Sequence, residues 1–469
     1  MRLNDIIQFG MRYAVFGCIA AIIVIAAFLI GYKLIYQKRF HGTKKIDKWH
    51  FIWLVLLVIY CVVLIGATFL SRGEYYTGAQ IMPPFASYKE AWYQGKISNI
   101  RNIVINILLF MPLGFLLPLG LKRLRKFSAT ASLGLLITIV IELLQIVTKR
   151  GIFEFDDILN NFLGTTIGYG IFVFITWICA KDKKDTLSKM LSCQIPLLLV
   201  ITAIISSSLV YEKQELGNLA IHYITKVPSK SFEISNSLSL DSKTNKAYVY
   251  QVKEYSLSET KELAEMIMQK AGAVINDNET DIYDETVYYR GDRRHVNIDF
   301  KGGLFDYINF DSSFSDGKLV EKADASQEEV ITALGEIGIT IPDGVIFENS
   351  GEGQYTFTAN CLAHKDVFYD GHISCTLMSD NSIAKAYNKI YACTKYKEYD
   401  LISEEQAFQK IKDGKFQLYY PNSNKAIIEI KNISLGYMLD SKTYYQPVYL
   451  FDALIDGNEY QIQIPAIKY

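Results

Sequence analysis

Residues 101–119 of this chain are RNIVINILLFMPLGFLLPL, and residues 129–147 are ATASLGLLITIVIELLQIV. Both runs are almost wholly apolar, and a helix of about 20 apolar residues crosses the roughly 30 Å hydrocarbon core of a membrane. The predicted spans in these two runs are residues 103–119 and 129–147, and four further spans are predicted at residues 13–35, 51–70, 158–180 and 195–210. The first part of the chain is therefore predicted to be an α-helical polytopic membrane bundle of about six transmembrane helices.

The composition of the chain changes near residue 210. Of the 469 residues 50% are hydrophobic, yet the long apolar runs all precede this point, and Asp, Glu, Lys, Asn, Ser and Tyr dominate after it. We predict two parts, a transmembrane domain over residues 1–210 and an α+β extracytoplasmic domain over residues 211–469. The net charge of -1 excludes nucleic acid as a partner class, because phosphate binding needs a sustained basic surface.

Basic residues are concentrated in alternate short loops of the first part. The loops after the first, third and fifth predicted helices carry them: Lys33, Lys38, Arg39, Lys44, Lys45 and Lys48; Lys122, Arg123, Arg125 and Lys126; Lys181, Lys183, Lys184 and Lys189. Such loops remain in the cytoplasm. The N-terminus, residues 71–101, residues 149–156 and everything after residue 210 are therefore predicted to lie outside the cytoplasmic membrane.

Polar side chains interrupt three of the predicted helices. Glu142 lies in an apolar run, where a charged group costs about 2.5 to 3.5 kcal/mol unless it faces the bundle interior, and Gln145 shares its helix face. Asp157 and Asn161 are likewise one turn apart. The predicted polar set comprises the candidate catalytic residues Glu142, Asp157 and Arg150 and the binding residues Arg72, Arg101, Asn102, Asn106, Gln145, Asp156 and Asn161. In the predicted orientation, the set collects near the outer ends of the helices and opens outward.

These polar residues also have a structural interpretation. In that alternative, Glu142 pairs with Arg101 or Arg150 as a link between helices. Asp156 and Asp157 then simply begin a helix, because carboxylates are favoured at helix N-termini. The collection of the whole set in one leaflet favours a functional site.

Small residues indicate where the helices pack. Gly164 and Gly168 continue the stripe that Asp157 begins, and small residues at helical spacing let a partner helix approach closely. In the third helix, Pro112 removes a backbone donor and Gly114 follows two residues later. These four positions are predicted to shape the packing of the bundle.

Three segments together resemble the VanZ-like family of bacterial membrane proteins: residues 101–119, IELLQ at 141–145 and FEFDDILNNFLGTTIGY at 153–169. The sequence departs from the family pattern at Glu154, where an Asp is usual, and keeps the charge. The resemblance runs from the end of the second predicted helix through the fifth. It implies the bacterial cytoplasmic membrane as the location and resistance to glycopeptide antibiotics, notably teicoplanin, as a theme, without implying a reaction.

The second part contains three sequence patterns for helix starts. A capping box, in which a Ser or Thr is followed three residues later by Glu or Gln, satisfies free backbone donors. The pairs are Ser256 with Glu259, Ser326 with Glu329, and Ser403 with Gln406. Strand-like alternations such as TVYYRGDRRHVNIDF follow them, which predicts two or three helix-plus-sheet modules. Residues 401–469 are similar to PepSY-type ectodomains, and this resemblance implies a binding or inhibitory module.

The second part carries no recognisable catalytic or metal-binding pattern. His364 and His372 lie between Cys361 and Cys375 and could bind a metal with them, but surface histidines are the more common explanation. No cofactor or metal is predicted. One disulfide among Cys361, Cys375 and Cys393 is compatible with an oxidising compartment.

Three functions fit these observations. The first is a non-enzymatic envelope protein that modulates access of antibiotics or wall precursors to the surface. The second is an enzyme acting on a lipid headgroup, with Glu142 or Asp157 as general base and Arg101 or Arg150 holding phosphate. The third is a transporter of small solutes. The predicted partners are the lipid bilayer and, through the second part, a cell-wall precursor, a glycopeptide or another envelope protein.

Overall fold

The structure, a computed structural model, describes residues 19, 22–23, 26, 47–70, 81–95, 97–180, 187–221, 232–283, 285–314, 319–364, 366–416 and 426–468. The chain divides into two compact units, Met1–Glu215 and Leu216–Tyr469. Most of the first predicted span, residues 13–35, lies outside the described residues, and so does Arg72.

The first unit is a bundle of helices. Its described elements are α1 (Lys48–Ile65), a π-helical turn (Gly66–Leu70), β1 (Ile81–Met82), α2 (Ala86–Gln94), α3 (Ile97–Gly120), α4 (Phe127–Val147), β2 (Phe153–Glu154), α5 (Phe155–Ile178), α6 (Leu187–Cys193) and α7 (Ile195–Lys213). In the described part of the chain, five helices are long and apolar enough to cross a membrane, namely α1, α3, α4, α5 and α7. They confirm the predicted helical membrane bundle. Helix α2 lies in a segment that was predicted to be only a loop.

Three glycines lie where α3 and α5 pack together. A Cβ atom added to Gly164 would lie 2.1 Å from the carbonyl oxygen of Ile107, and one on Gly168 would lie 2.0 Å from that of Met111. One added to Gly114 would lie 1.9 Å from a backbone carbonyl of α5. The two helices thus meet backbone to backbone, which only residues without bulky side chains permit.

Helix α1 packs against the stretch of α3 that contains a proline. Pro112 lies inside α3 and cannot donate a helical hydrogen bond. The Tyr60 hydroxyl donates to the Leu109 carbonyl at 3.1 Å, and the Trp53 indole donates to the Leu116 carbonyl at 2.7 Å. Side chains of α1 thereby bind backbone acceptors on both sides of the proline.

The second unit is built on one 14-stranded sheet. Its strands are β3 (Phe232–Asn236), β4 (Lys246–Val252), β5 (Asp281–Tyr283), β6 (Thr286–Gly291), β7 (Arg294–Asp299), β8 (Phe305–Asn309), β9 (Ile346–Gly351), β10 (Gln354–His364), β11 (Val367–Leu377), β12 (Ile383–Asn388), β13 (Tyr391–Asp400), β14 (Ala426–Leu439), β15 (Tyr444–Ile455) and β16 (Asn458–Pro465). The main path runs β3-β14-β15-β4-β13-β11-β12-β8-β7-β6-β5, while β10 joins β11 to β9 and β16 pairs with β15. The sheet is antiparallel except for the β3–β14 pair, so this unit is the predicted α+β part.

Helices cover two hydrophobic cores of this sheet. The helices are α8 (Leu257–Lys270), α9 (Phe310–Ser313), α10 (Gln327–Glu336) and α11 (Glu404–Lys412). Ile267 of α8 and Leu334 of α10 pack into one core, and Ile411 of α11 packs into the other. The strands join both cores in a single sheet.

All three predicted capping boxes are confirmed. In α8, α10 and α11 the serine at the N-cap accepts a hydrogen bond from the third helical residue, whose own side chain accepts from the serine backbone N–H. Each pair satisfies two backbone donors that would otherwise lack partners at the helix start.

Replacing Gly164 with alanine is expected to push α3 and α5 apart, because the added Cβ would lie 2.1 Å from a backbone oxygen. Overpacking of this kind costs about 3 kcal/mol, so the melting temperature of the full chain in detergent should fall. Gly335→Ala is the control, because Gly335 lies in α10 with no atom within 4 Å of an added Cβ. An unchanged melting temperature for Gly164→Ala would contradict the backbone-to-backbone packing.

A second expectation concerns the acid stability of α10. The Lys322 ammonium and the Ser326 backbone lower the pKa of Glu329 from 4.5 to about 2. A lowered carboxyl pKa stabilises the fold above pH 4.5, and this stabilisation is lost as the pH falls towards 2. Glu329→Gln should remove that pH dependence while keeping the capping box, as Gln406 does in α11.

The measurement is hydrogen exchange of the α10 amides in the full chain between pH 2 and 5, corrected for the intrinsic exchange rate. The wild-type amides should lose protection across this window, and those of the Glu329→Gln variant should not. Equal loss in both chains would assign the acid sensitivity to other groups.

Candidate functional site

Buried polar side chains gather at one end of the bundle. They come from the C-terminal half of α4 and the N-terminal half of α5, which run antiparallel, so that these two halves lie side by side. We call them the buried cluster: Thr138, Glu142, Gln145, Asp156, Asp157, Asn160 and Asn161, each at most 9% exposed. Five of its members belong to the predicted polar set.

Direct hydrogen bonds connect α4 to its neighbours along one face. Thr138, Glu142 and Gln145 recur at helical spacing on α4. The Thr138 hydroxyl accepts a bond of 2.9 Å from the amide nitrogen of Asn161, and Glu142 Oε2 accepts one of 3.1 Å from the backbone N–H of Glu154. The cluster thus ties α4 to α5 and to the segment just before it.

The π-helical turn after α1 supplies backbone acceptors. The Gln145 amide donates to the Thr68 carbonyl at 3.2 Å, and the Arg150 guanidinium donates to the Phe69 carbonyl at 3.4 Å. The last carbonyls of a helical segment have no partner within the helix, so they can accept hydrogen bonds from such side chains. Arg150 therefore lies at the same end as the cluster, where it is half-buried.

Helix α3 contributes one side chain directly to the site. The Asn106 amide donates to Asp157 Oδ1 at 2.5 Å. Arg101 lies one turn and a half earlier and is half-buried, whereas Asn102 is exposed. The structure thus brings Asn106 into the site and leaves Asn102 out of it.

Asp156 has a role that its position in the sequence did not reveal. Its carboxylate accepts the backbone N–H groups of Phe85 at 2.6 Å and Ser87 at 2.8 Å, which are the free donors at the start of α2. The N-cap of its own helix is Glu154, which makes no side-chain capping bond. Asp156 lies in the first turn of α5, as the helix-start interpretation has it, and it also accepts backbone N–H groups at the start of a different helix.

Further contacts hold α2 over the end of the bundle. Strands β1 and β2 pair in parallel, with Ile81 opposite Phe153. The Tyr88 hydroxyl donates to the side-chain oxygen of Asn160. Burial, followed by the charges of the neighbouring aspartates, raises the pKa of Tyr88 to about 12, so this hydroxyl keeps its proton. Helix α2 is thereby fixed to the first turns of α5.

Sequence reasoning missed three residues of this site. Asn160 follows Asp156 by four residues, so a second stripe beside Asp157 and Asn161 was visible in the spacing. Thr138 precedes Glu142 by four residues on the same face and was equally visible. Tyr88 lies in a segment without an apolar run, and nothing in its local sequence indicated a contact with α5.

Three carboxamides in the cluster are only half satisfied. Gln145 Oε1, Asn160 Nδ2 and Asn161 Oδ1 are buried and have no hydrogen-bond partner among the described residues. Turning either asparagine amide over would exchange its two ends and still leave one open, since the Tyr88 and Thr138 hydroxyls can donate or accept. Buried polar groups are nearly always paired, and an unpaired one costs about 1 to 3 kcal/mol.

Metal-binding and thiol chemistry gain no support from the described residues. Within the described ranges, no group of three or more His, Cys, Asp and Glu side chains could hold a metal ion. Cys361, Cys375 and Cys393 are all free thiols. Burial raises the pKa of Cys361 to about 11 and that of Cys375 to about 12, which makes these thiols unreactive.

The five apolar spans of the described residues define a multi-pass membrane protein, in which polar side chains are buried at one end of the bundle. Residues 52–176 match the sequence model of the VanZ/LLP1 family, so the chain carries a VanZ/LLP1 domain. The match begins in α1, ends in α5 and includes every member of the buried cluster. No curated protein matches the chain.

Two solved structures are similar to the chain at low identity. The Bacillus megaterium YpeB C-terminal domain is 14% identical, and the alignment covers 46% of this chain and 95% of that one with a TM-score of 0.23. An uncharacterized protein from Eubacterium rectale is 12% identical, and the alignment covers 50% of this chain and 86% of that one with a TM-score of 0.25. Similarity at this level carries no function to this chain.

Asp156→Ala is expected to release α2 from the bundle, because two backbone N–H groups lose a charged acceptor. Hydrogen bonds of this kind contribute about 2 kcal/mol, which corresponds to about 30-fold faster exchange. The measurement is hydrogen exchange over residues 85–94 of the full chain in detergent. Asn102→Ala is the control, because Asn102 is exposed at the same end. Unchanged exchange in Asp156→Ala would mean that other contacts hold α2.

Proposed function

We propose that the VanZ/LLP1 bundle binds a polar ligand of the cell envelope at the buried cluster and acts by binding rather than by catalysis. One observation carries the proposal, namely that three buried carboxamides each present an unpaired end at the same end of the bundle. A cluster that served only to join helices would be expected to close its hydrogen bonds internally. A ligand would supply the missing hydrogen-bond partners of Gln145, Asn160 and Asn161.

The carboxylates support binding over general-base catalysis. Asp156 accepts two backbone N–H groups, Asp157 accepts the Asn106 amide, and Glu142 accepts the Glu154 N–H. Each acid is thus engaged in holding protein segments in place. A general base needs a lone pair directed at the substrate proton, and the contacts of these three acids favour positioning roles instead.

The distribution of Lys and Arg supports an orientation in which this end of the bundle faces outward. Near the end of α7, the ring centroid of Tyr211 lies 6.0 Å from that of Trp92 in α2. The chain therefore leaves α7 on the same side as the buried cluster. In that orientation, the second unit would lie in the same compartment as the cluster. The proposed role is to modulate how wall precursors or glycopeptides such as teicoplanin reach the surface, with the second unit contacting an envelope partner.

The test uses near-isosteric variants that remove only the amide. Gln145→Met and Asn161→Leu are expressed in a bacterial host that lacks its own copy, and their membrane levels are compared with wild type. The minimum inhibitory concentration of teicoplanin should fall to that of cells without the gene, because the ligand loses its partners. Asn102→Ala, exposed at the same end, should retain the wild-type value.

If both variants reach normal membrane levels and keep full teicoplanin tolerance, the binding role is wrong and the cluster is structural. If tolerance is lost and the purified chain also turns over a lipid headgroup, the enzymatic alternative replaces the proposal.

A further inference from the structure

We propose that the ligand of the buried cluster is an uncharged group rich in hydroxyls, such as the sugar headgroup of a glycolipid. This inference rests on the binding function proposed above and assigns the chemistry of its ligand. It depends on how the open amide ends are placed relative to the carboxylates.

Each open carboxamide lies one helical turn from a carboxylate on the same helix. Gln145 follows Glu142 by three residues, Asn160 follows Asp156 by four, and Asn161 follows Asp157 by four. Residues at these spacings are neighbours on one helix face. A phosphate bound at any of the three amides would therefore lie beside a carboxylate, and like charges at such distances repel. The two half-buried arginines at this end face three buried carboxylates, so they do not reverse the negative charge next to the amides.

A cationic ligand is also a poor match. The carboxylates already accept hydrogen bonds from Asn106 and from three backbone N–H groups. Arg101 and Arg150 are half-buried at the same end, so positive charge is present already. The unpartnered atom of Gln145 is its oxygen, because its nitrogen donates to the Thr68 carbonyl. In Asn160 and Asn161 either end of the amide can be the unpartnered one.

Hydroxyl groups can pair with both the open amide oxygens and the open amide nitrogens, because each hydroxyl both donates and accepts a hydrogen bond. A hydroxyl could bind each open amide end, at the Gln145 oxygen and at the two asparagine amides, without adding charge to a buried site. A neutral ligand also avoids the cost of moving an ion out of water.

The surroundings of the site indicate that the hydroxyls are carried by a lipid. The cluster lies in the last turns of α4 and the first turns of α5, at the ends of two apolar spans. Next to it, Ile81 and Phe85 beside α2 are 65% and 57% exposed. Apolar side chains at this level favour contact with acyl chains, so a headgroup could reach the amides from the bilayer.

The test measures the melting temperature of the full chain in a zwitterionic detergent that contains no sugar. The probes are monoglucosyl diacylglycerol, phosphatidic acid with the same acyl chains, a cationic lipid with the same chains, and free glucose. The glycolipid should raise the melting temperature of the wild type in a saturable way, and neither charged lipid should do so beyond a small shift that is the same in all variants.

Three variants make the result specific. Asn161→Leu and Gln145→Met should lose the glycolipid shift, while Asn102→Ala should keep it. Because the shift is compared with the melting temperature of the same variant, a general loss of stability does not imitate a loss of binding. A shift with free glucose that Asn161→Leu abolishes would also support hydroxyl recognition and would assign a soluble sugar as the source.

A shift with phosphatidic acid or the cationic lipid that disappears in Asn161→Leu would overturn the hydroxyl assignment and leave the proposed binding function standing. A glycolipid shift that is equal in all variants, or no shift with any sugar probe, would also overturn it. The proposed function fails separately, through the teicoplanin assay of the same variants.

Discussion

The direct contact between the backbones of α3 and α5 is the constraint on which the site depends. Gly114, Gly164 and Gly168 leave no space for a side chain between the two helices. This fixes how far α5 stands from α3, and therefore allows the Asn106 amide to reach the carboxylate of Asp157. With α5 held in this way, its other polar side chains face α4 and α2. The close packing of α3 against α5 therefore also determines where the polar side chains of α5 lie.

Around that pair, the cluster uses backbone groups as much as side chains. The Thr68 and Phe69 carbonyls accept from α4 and from the residues just after it, and the Glu154 N–H donates to Glu142. Backbone groups have fixed positions once the helices are packed, so they hold the polar side chains in defined orientations. The three amide ends that remain open are then held in fixed positions, and the proposed binding function would use this preorganisation.

The sequence was sufficient for features that depend on local spacing. The length of the apolar runs predicted the five described spans. Helical spacing predicted that Glu142, Gln145, Asp157 and Asn161 face the interior of the bundle. The serine caps of α8, α10 and α11 were equally local. Features that depend on contacts between distant segments could not be predicted from the sequence. The hydrogen bonds of Asp156 to the start of α2 join residues about 70 positions apart. The order of strands in the large sheet likewise depends on long-range pairing. The outward orientation, inferred from basic loops, stays a prediction.

The way in which α2 is docked has a consequence for how related chains can diverge. Asp156 accepts hydrogen bonds from backbone N–H groups, which every residue except proline possesses. The exposed side chains of this segment, including that of Phe85, therefore take no part in these hydrogen bonds. These side chains can be exchanged without loss of the two bonds to Asp156, within the limit that the left-handed backbone of Phe85 disfavours β-branched residues at that position.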